Sequence, residues 1–301
     1  MIWIIGDKGM LGRELSGLLT ARGLDNSGTD REVSILDPGA ISGYAEASAR
    51  EGRAVTAMVN CAAYTSVEKA EDEPELASAL NVEGPANLAR LADRLGADFI
   101  HLSTDYVFSG NRTVPYREDD PVDPQGVYGR TKAEGERAVL ANCRKAIILR
   151  TAWLYGRYGT NFVFTMLRLM RDRAEVGVVR DQYGTPTWAL DLSATIASIL
   201  ESREKLPGIY HYTDGGITNW HEFAMEVYAQ GRALGLLTHE VNVKPLTTDQ
   251  YPAKVKRPAY SVLSKEKIAR VYAPAIPDWR VSLRRFLSGE AATAPHGVAQ
   301  G

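Results

Sequence analysis

The amino-acid sequence predicts an α/β fold, in which a doubly wound parallel sheet is joined to a second, smaller α/β lobe. Three observations carry this. Short apolar segments alternate with longer helical ones through residue 151, the first apolar segment runs straight into a glycine-rich turn, and the alternation loses its regularity after residue 151. Strands of such a sheet are covered by helices on both faces, so they read as continuous apolar runs. Four are legible: Ile2 to Ile5, Val55 to Asn60, Phe99 to Ser103 and Ala146 to Thr151.

The opening MIWIIGDKGMLGRELSGLL reads as strand, turn and amphipathic helix, with Gly6, Gly9 and Gly12 spaced GxxGxxG. The first glycine allows a tight turn, the second lets a pyrophosphate approach the backbone, and the third lets the helix pack closely on the strand. Phosphate oxygens then meet unpaired N–H groups at a helix N-terminus. An acidic residue is expected about twenty positions later to bind ribose hydroxyls. Asp30 fills that place, although LDNSGTD around it is poor strand sequence. Arg31 follows and offers a partner for a 2′-phosphate, so NADH and NADPH both remain open. An exposed turn is the plain alternative for this pair.

Further on, PELASALNVEGPANLARLADRLG and RTKAEGERAVLANC read as helices. The segments NCAAYTSVE, STDYVFSG and RTAWLYG each begin at the carboxyl end of a strand, and all three loops should therefore converge on one crevice. In VYGRTKAEGE, Tyr128 and Lys132 are four residues apart and share one helix face, so an ammonium can acidify a phenol there. That is the chemistry of carbonyl reduction.

Residues 1–150 are expected to form the dinucleotide-binding domain. Residues 151–288 are expected to form a substrate lobe, with some segments, such as a helix over 191–202, returning to cover the sheet. Residues 289–301 (GEAATAPHGVAQG) lack apolar periodicity and read as a mobile tail.

Composition narrows the function classes. Net charge is −2, from 35 basic and 37 acidic residues spread along the chain, which gives no footprint for nucleic acid or an anionic membrane. No apolar run approaches the roughly 18 residues that span a bilayer, and MIWIIG is too short and uncharged for a secretory signal, so a cytoplasmic location is expected. Cys61 and Cys143 have no metal-binding spacing and suit a reducing compartment. The five histidines, His101, His211, His221, His239 and His296, show no ligand spacing either, and His101 reads as a satisfied core residue. No metal is expected.

The motifs GDKGMLG, NCAAYTSVEKAEDEPELA with the later Asn81, STDYVF, YGRTKAEGE, RTAWLYG, NF, DQYGTPT and RPAYSVL occur in order between residues 2 and 287. In that order they resemble the dTDP-4-dehydrorhamnose reductase family, extended short-chain dehydrogenases built on a Rossmann sheet. The resemblance implies hydride transfer from NADPH or NADH to C4 of a dTDP-linked 4-keto-6-deoxyhexose. Tyr128 would supply the proton, Lys132 would stabilise the phenolate and hold the nicotinamide ribose, and Thr104 would hydrogen-bond the carbonyl or the tyrosine.

Cofactor contacts are implied for Gly9, Met10, Leu11, Asp37, Ala62, Ala63 and Tyr64, and sugar-nucleotide contacts for Asp105, Trp153, Asn161 and Arg257. Bland readings stand beside several of these: a strand-end hydroxyl for Thr104, a core aromatic for Trp153 and a solvated basic loop for Arg257. Glu14 fits a place where some members hold a dimer-bridging magnesium, but Leu190 occupies the corresponding second place, which argues against a metal-bridged dimer. A monomer or homodimer is expected. Two other functions stay open, a catalytically idle nucleotide-binding subunit that regulates a partner, and another sugar-nucleotide reductase or epimerase.

Overall fold

In the computed structural model, which describes residues 1–251 and 253–293, the first half alternates strand and helix as expected. In order come β1 (Ile2–Ile5), α1 (Met10–Ala21), β2 (Asn26–Thr29), α2 (Pro38–Arg50), β3 (Ala57–Asn60), α3 (Val67–Ala70), α4 (Pro74–Ser78), α5 (Gly84–Leu95), β4 (Asp98–Thr104), α6 (Val127–Asn142) and β5 (Ala146–Thr151). The second half contributes β6 (Leu154–Tyr155), α7 (Phe162–Asp172), β7 (Glu175–Val179), β8 (Tyr183–Gly184), β9 (Thr187–Trp188), α8 (Ala189–Glu201), β10 (Gly208–His211), β11 (Thr218–Asn219), α9 (Trp220–Ala233), β12 (Asn242–Leu246), α10 (Glu266–Tyr272) and α11 (Trp279–Thr293).

The central sheet has six strands in the order β10-β5-β4-β3-β1-β2, and every neighbouring pair is parallel. Alternate residues of β1 serve opposite faces. Ile2 and Ile4 join a core with Leu11, Leu15, Leu192 and Ile196, while Trp3 and Ile5 join a second core with Ile41, Leu88 and Val139. Helix α8 thus covers the sheet beside α1. Strand order reverses between β1 and β3, and at such a reversal the strand ends part and leave a crevice.

β2 shows why its sequence was a poor guide. NSGT has no aliphatic side chain, and its position is fixed by backbone pairing to β1, with Ile2 opposite Asn26 and Ile5 opposite Thr29. Two side-chain bonds pin it further, Trp3 Nε1 to Thr29 Oγ1 at 2.9 Å and Tyr44 Oη to Ser27 Oγ at 2.8 Å. The long helix expected after β3 is continuous but contains a π-helical turn over Ala79–Glu83, a wide turn that carries Asn81 into the interior.

The second half builds its own core around α7, α9 and α11, with Phe223, Trp279 and Leu283 fully buried. It also returns β10 and α8 to the sheet. Residues 289–293, expected in the tail, form the last turn of α11, and the rest of that tail, 294–301, lies outside the described residues.

Candidate active site

The site is assembled first by glycines. Gly6 has φ +82° and packs against the loop after β3, where an added Cβ would stand 2.8 Å from Ala62 N. At Gly12 a Cβ would fall 2.2 Å from the Gly6 carbonyl oxygen, so α1 can lie on β1 only because that atom is missing. Gly9 caps α1 without a side-chain hydrogen bond, which leaves first-turn N–H groups open toward the cleft.

Above this turn opens a cleft of about 950 Å³. One end is lined by Gly6, Gly9, Met10, Leu11, Gly12, Asp30, Arg31, Ala62 and Ala63, the other by Thr104, Asp105, Tyr128, Lys132, Trp153 and Arg257. Three expected residues are not on that lining. Asp37 caps α2, accepting from Gly39 N and Ala40 N at 2.8 and 3.1 Å. Asn161 caps α7, accepting from Phe164 N at 3.1 Å and donating to the Gly156 carbonyl at 2.8 Å. Tyr64 donates to Glu73 at 2.6 Å, and its backbone is clamped by Asn81, which accepts from Tyr64 N at 2.9 Å and donates to Tyr64 O at 3.1 Å.

The same Asn81 donates to Thr131 Oγ1 on α6 at 3.1 Å, tying the cofactor-side loop to the helix that carries Tyr128 and Lys132. Helix α6 can approach that closely because residue 135 is glycine, where a Cβ would be 2.0 Å from the Asn81 carbonyl oxygen. A buried carboxylate locks the helix from beneath. Glu136 accepts from Ser103 Oγ at 2.5 Å and from Arg150 at 2.8 and 2.6 Å.

Lys132 is buried and donates to the Leu102 carbonyl at 2.6 Å, with His101 Nε2 at 3.5 Å. Burial brings its ammonium down to about 8 from the ordinary lysine value, and the Glu136 charge opposes the fall. His101 is fully buried, and Asn60 sits 3.0 Å from its Nδ1. Burial and the Lys132 charge hold the imidazole well below its usual pKa. Burial also pushes the Tyr128 phenol up, against the hydrogen bond of Thr104, which holds it down. The hydrogen-bonding partner of the phenol is thus Thr104, while Lys132 stands one turn further along α6.

Thr104 accepts from Tyr106 N at 3.2 Å and donates to Asp105 Oδ1 at 3.0 Å. Asp105 is 3% exposed, and its Oδ2 has no hydrogen-bond partner. Burial lifts its carboxyl to about 6, opposed by hydrogen bonds from Ser261 and Thr104.

At the far wall Trp153 takes φ +49°, a left-handed conformation that a bulky residue adopts only when its surroundings compel it. Its indole lies 3.5 Å from the Trp220 ring at 10°. Gly184 makes room for it, since a Cβ there would be 2.5 Å from the indole. Trp220 also lines the cleft and was not expected from the sequence, where it reads only as the start of α9. Arg257 reaches in from the strap that follows β12, donating to Tyr106 Oη at 2.7 Å and Glu68 Oε1 at 2.6 Å. Glu68 is a second residue the sequence did not single out. It also accepts from the strap's Lys254 N and Val255 N.

The glycine cradle fits a dinucleotide, since a Cβ at Gly6 or Gly12 would collide with backbone, and the first-turn residues Met10, Leu11 and Gly12 line the cleft without a side chain capping their N–H groups. Among the described residues no group of three or more His, Cys, Asp or Glu is placed to hold a metal ion, and no helix is long and apolar enough to cross a membrane. A doubly wound sheet with this cradle at one end of its cleft and a Thr–Tyr–Lys set at the other defines a nicotinamide-dependent oxidoreductase of the extended short-chain type.

Comparison with known proteins narrows the class. Residues 1–291 match the family model described as RmlD substrate binding domain. The dTDP-4-dehydrorhamnose reductase of Streptomyces griseus is 42% identical over 287 residues, 93% of this chain and 91% of the relative, and that of Shigella flexneri is 38% identical over 296 residues, 95% and 97%. Among solved structures, the Bacillus anthracis dTDP-4-dehydrorhamnose reductase in complex with NADP superposes with a TM-score of 0.87 at 34% identity, covering 95% of this chain and 98% of that one. The Clostridium acetobutylicum ortholog gives 0.88 at 37%, covering 96% and 99%. The chain belongs to the dTDP-4-dehydrorhamnose reductase family.

Proposed function

We propose that the chain reduces the C4 ketone of dTDP-4-dehydro-L-rhamnose to the alcohol of dTDP-L-rhamnose, using NADPH or NADH. The single observation that carries this is one cleft holding the glycine cradle at one end and the Tyr128 phenol, bonded to Thr104 above a buried Lys132, at the other.

Gly6, Gly9, Met10, Leu11 and Gly12 would hold the pyrophosphate, Asp30 and Arg31 the adenosine ribose, and Ala62 and Ala63 the flat rings. Bound in that way, the nicotinamide supplies the hydride. As negative charge builds on the substrate's C4 oxygen, Tyr128 gives up its proton to it. An unassisted phenol is a sluggish acid at neutral pH, so the charge left on Tyr128 must be stabilised. Thr104 does so once its single hydroxyl hydrogen turns from Asp105 to the phenolate, and Lys132 by its positive charge, in a site where burial strengthens both.

The paired indoles of Trp153 and Trp220 give the deoxysugar an apolar wall. Arg257, a planar donor already facing the cleft, suits the diphosphate. Asp37 and Asn161 serve the site through helix caps, which hold its framework. Both cysteines are unpaired, which suits action in the cytosol, as a monomer or homodimer.

A turnover assay tests the proposal: dTDP-4-dehydro-L-rhamnose should drive oxidation of NADPH or NADH, read at the reduced nicotinamide absorbance. Protein that binds cofactor but leaves this substrate untouched would sink the reductase reading and favour an idle, regulatory one.

A further inference from the structure

After one turnover of the proposed reduction Tyr128 is left without its proton, and the cleft must supply another. Lys132 commits one N–H to the Leu102 carbonyl, and the Tyr128 phenol is bonded to Thr104. Behind Thr104 stands Asp105, a buried carboxyl that lines the cleft with one oxygen on Thr104 Oγ1, with Ser261 beside the group, and with Oδ2 lacking a hydrogen bond of normal length and angle. A buried polar atom without a full hydrogen bond is costly and calls for an explanation, of which a part in proton transfer is one.

We propose that Asp105 reloads Tyr128 with a proton through the Thr104 hydroxyl. This rests on the reductase reading and adds the step that follows the chemistry.

Every atom of the step is accounted for. The Tyr128 O–H bond breaks as the O–H bond of the product alcohol forms. The phenolate then takes the hydroxyl hydrogen of Thr104, and Thr104 Oγ1 takes the carboxyl hydrogen of Asp105. A proton from bulk solvent finally returns to the carboxylate, so each turnover takes up one solvent proton in all. In the structure the Thr104 hydrogen points at Asp105 Oδ1, so the relay needs a protonated Asp105 and a turn of that hydrogen toward Tyr128, after which Thr104 Oγ1, with Tyr106 N on one lone pair, accepts from Asp105 on the other.

The surroundings favour a carboxyl that exchanges its proton. The groups facing Asp105 are Thr104 beside it, Ser261 from the strap and Tyr128 from α6. Arg257, the guanidinium on this wall of the cleft, spends its bonds on Glu68 and Tyr106. With its acidity at about 6, the carboxyl binds and releases a proton near neutral pH.

Rapid-mixing kinetics of Asp105→Asn test the relay, since asparagine keeps the shape and the acceptor but has no acid hydrogen. The first turnover, which uses the proton Tyr128 already holds, should slow far less than the later ones, with about one nicotinamide oxidised per site. Later turnovers should slow by about tenfold or more, and added formate should restore them. An unchanged steady-state rate overturns the relay. So does a first turnover slowed as much as the rest, because that is the mark of a residue that only holds the sugar. Should Asp105→Asn fail to bind cofactor, Asp105→Ser carries the same comparison. Wild-type protein that does not turn over the substrate at all defeats the reductase reading itself, a result separable from every outcome of the variant.

Discussion

Glu136 and Arg150 form a doubly hydrogen-bonded ion pair, at 2.8 and 2.6 Å, with side chains only 4% and 2% exposed. The pair joins α6 to β5 one helical turn beyond Lys132, so the helix that carries the phenol and the ammonium is bolted to the sheet. Replacing one partner leaves the other charged and buried, which costs about 3–5 kcal/mol. Glu136→Gln should therefore lower the unfolding free energy by that amount, read as a lower denaturant midpoint at an unchanged slope. It should also reduce activity, because Lys132 loses the charge that supports its ammonium. A variant as stable as the parent would show that the pair is not the anchor of α6.

Tyr128→Phe removes the proposed proton donor and keeps the ring that packs edge-on to Tyr106 at 5.5 Å. kcat should fall by about 10²-fold or more, the usual contribution of a general acid, while cofactor affinity stays as it was. Steady-state rates beside a fluorescence titration of reduced cofactor decide it.

The pH dependence follows from Lys132, whose ammonium is brought down to about 8 by burial. Below that value the group is charged and supports the phenolate, and above it the charge is lost. kcat/KM should accordingly fall as pH rises through about 8, since this ratio reports the free enzyme. The stability sign is opposite. A lysine depressed in the folded state costs stability while it is charged, and that cost is relieved as pH rises from about 8 toward the ordinary lysine value. A kcat/KM profile flat through pH 9 would remove Lys132 from the charge-supporting role.

Trp220→Ala takes away the ring stacked on Trp153. Such pairs contribute about 0.5–1.5 kcal/mol beyond buried area, so KM for the sugar nucleotide should rise up to about tenfold with kcat little changed. An unchanged KM would mean that Trp153 holds its position without its partner.

At Gly12 a single methyl tests the cradle. Gly12→Ala would drive a Cβ into the Gly6 carbonyl and Asp7 Cα, backbone atoms that cannot turn aside. Overpacking of this kind costs about 1–3 kcal/mol, and dinucleotide affinity should drop together with the melting temperature.

What the sequence made legible was periodic or glycine-marked. The apolar β1, the turn Gly6–Gly9–Gly12, the ends of β3, β4 and β5 and the Tyr128–Lys132 spacing all lead to the observed sheet and cleft. What stayed hidden depends on partners remote in the chain. NSGT becomes β2 only because β1 lies beside it. Asp37 and Asn161 are polar residues one step ahead of a helix, and the cap they form competes with any ligand for the same oxygen. Trp220 gained its place from Trp153, 67 positions away, and Glu68 from a strap nearly 190 positions on. The Glu136–Arg150 bond joins two residues whose own stretches look like an ordinary helix and an ordinary strand.

The sixth strand of the sheet, β10, is contributed after residue 207, and it pairs with β5 from Gly208 opposite Ile147 to His211 opposite Arg150. During synthesis the first half therefore waits, one flank of its sheet bare, until some sixty further residues have left the ribosome. A fragment ending at residue 150 would carry an open apolar strand edge into solution and would stick to its own kind. The division of labour between the two halves is one of chemistry, while the act of folding belongs to the chain as a whole.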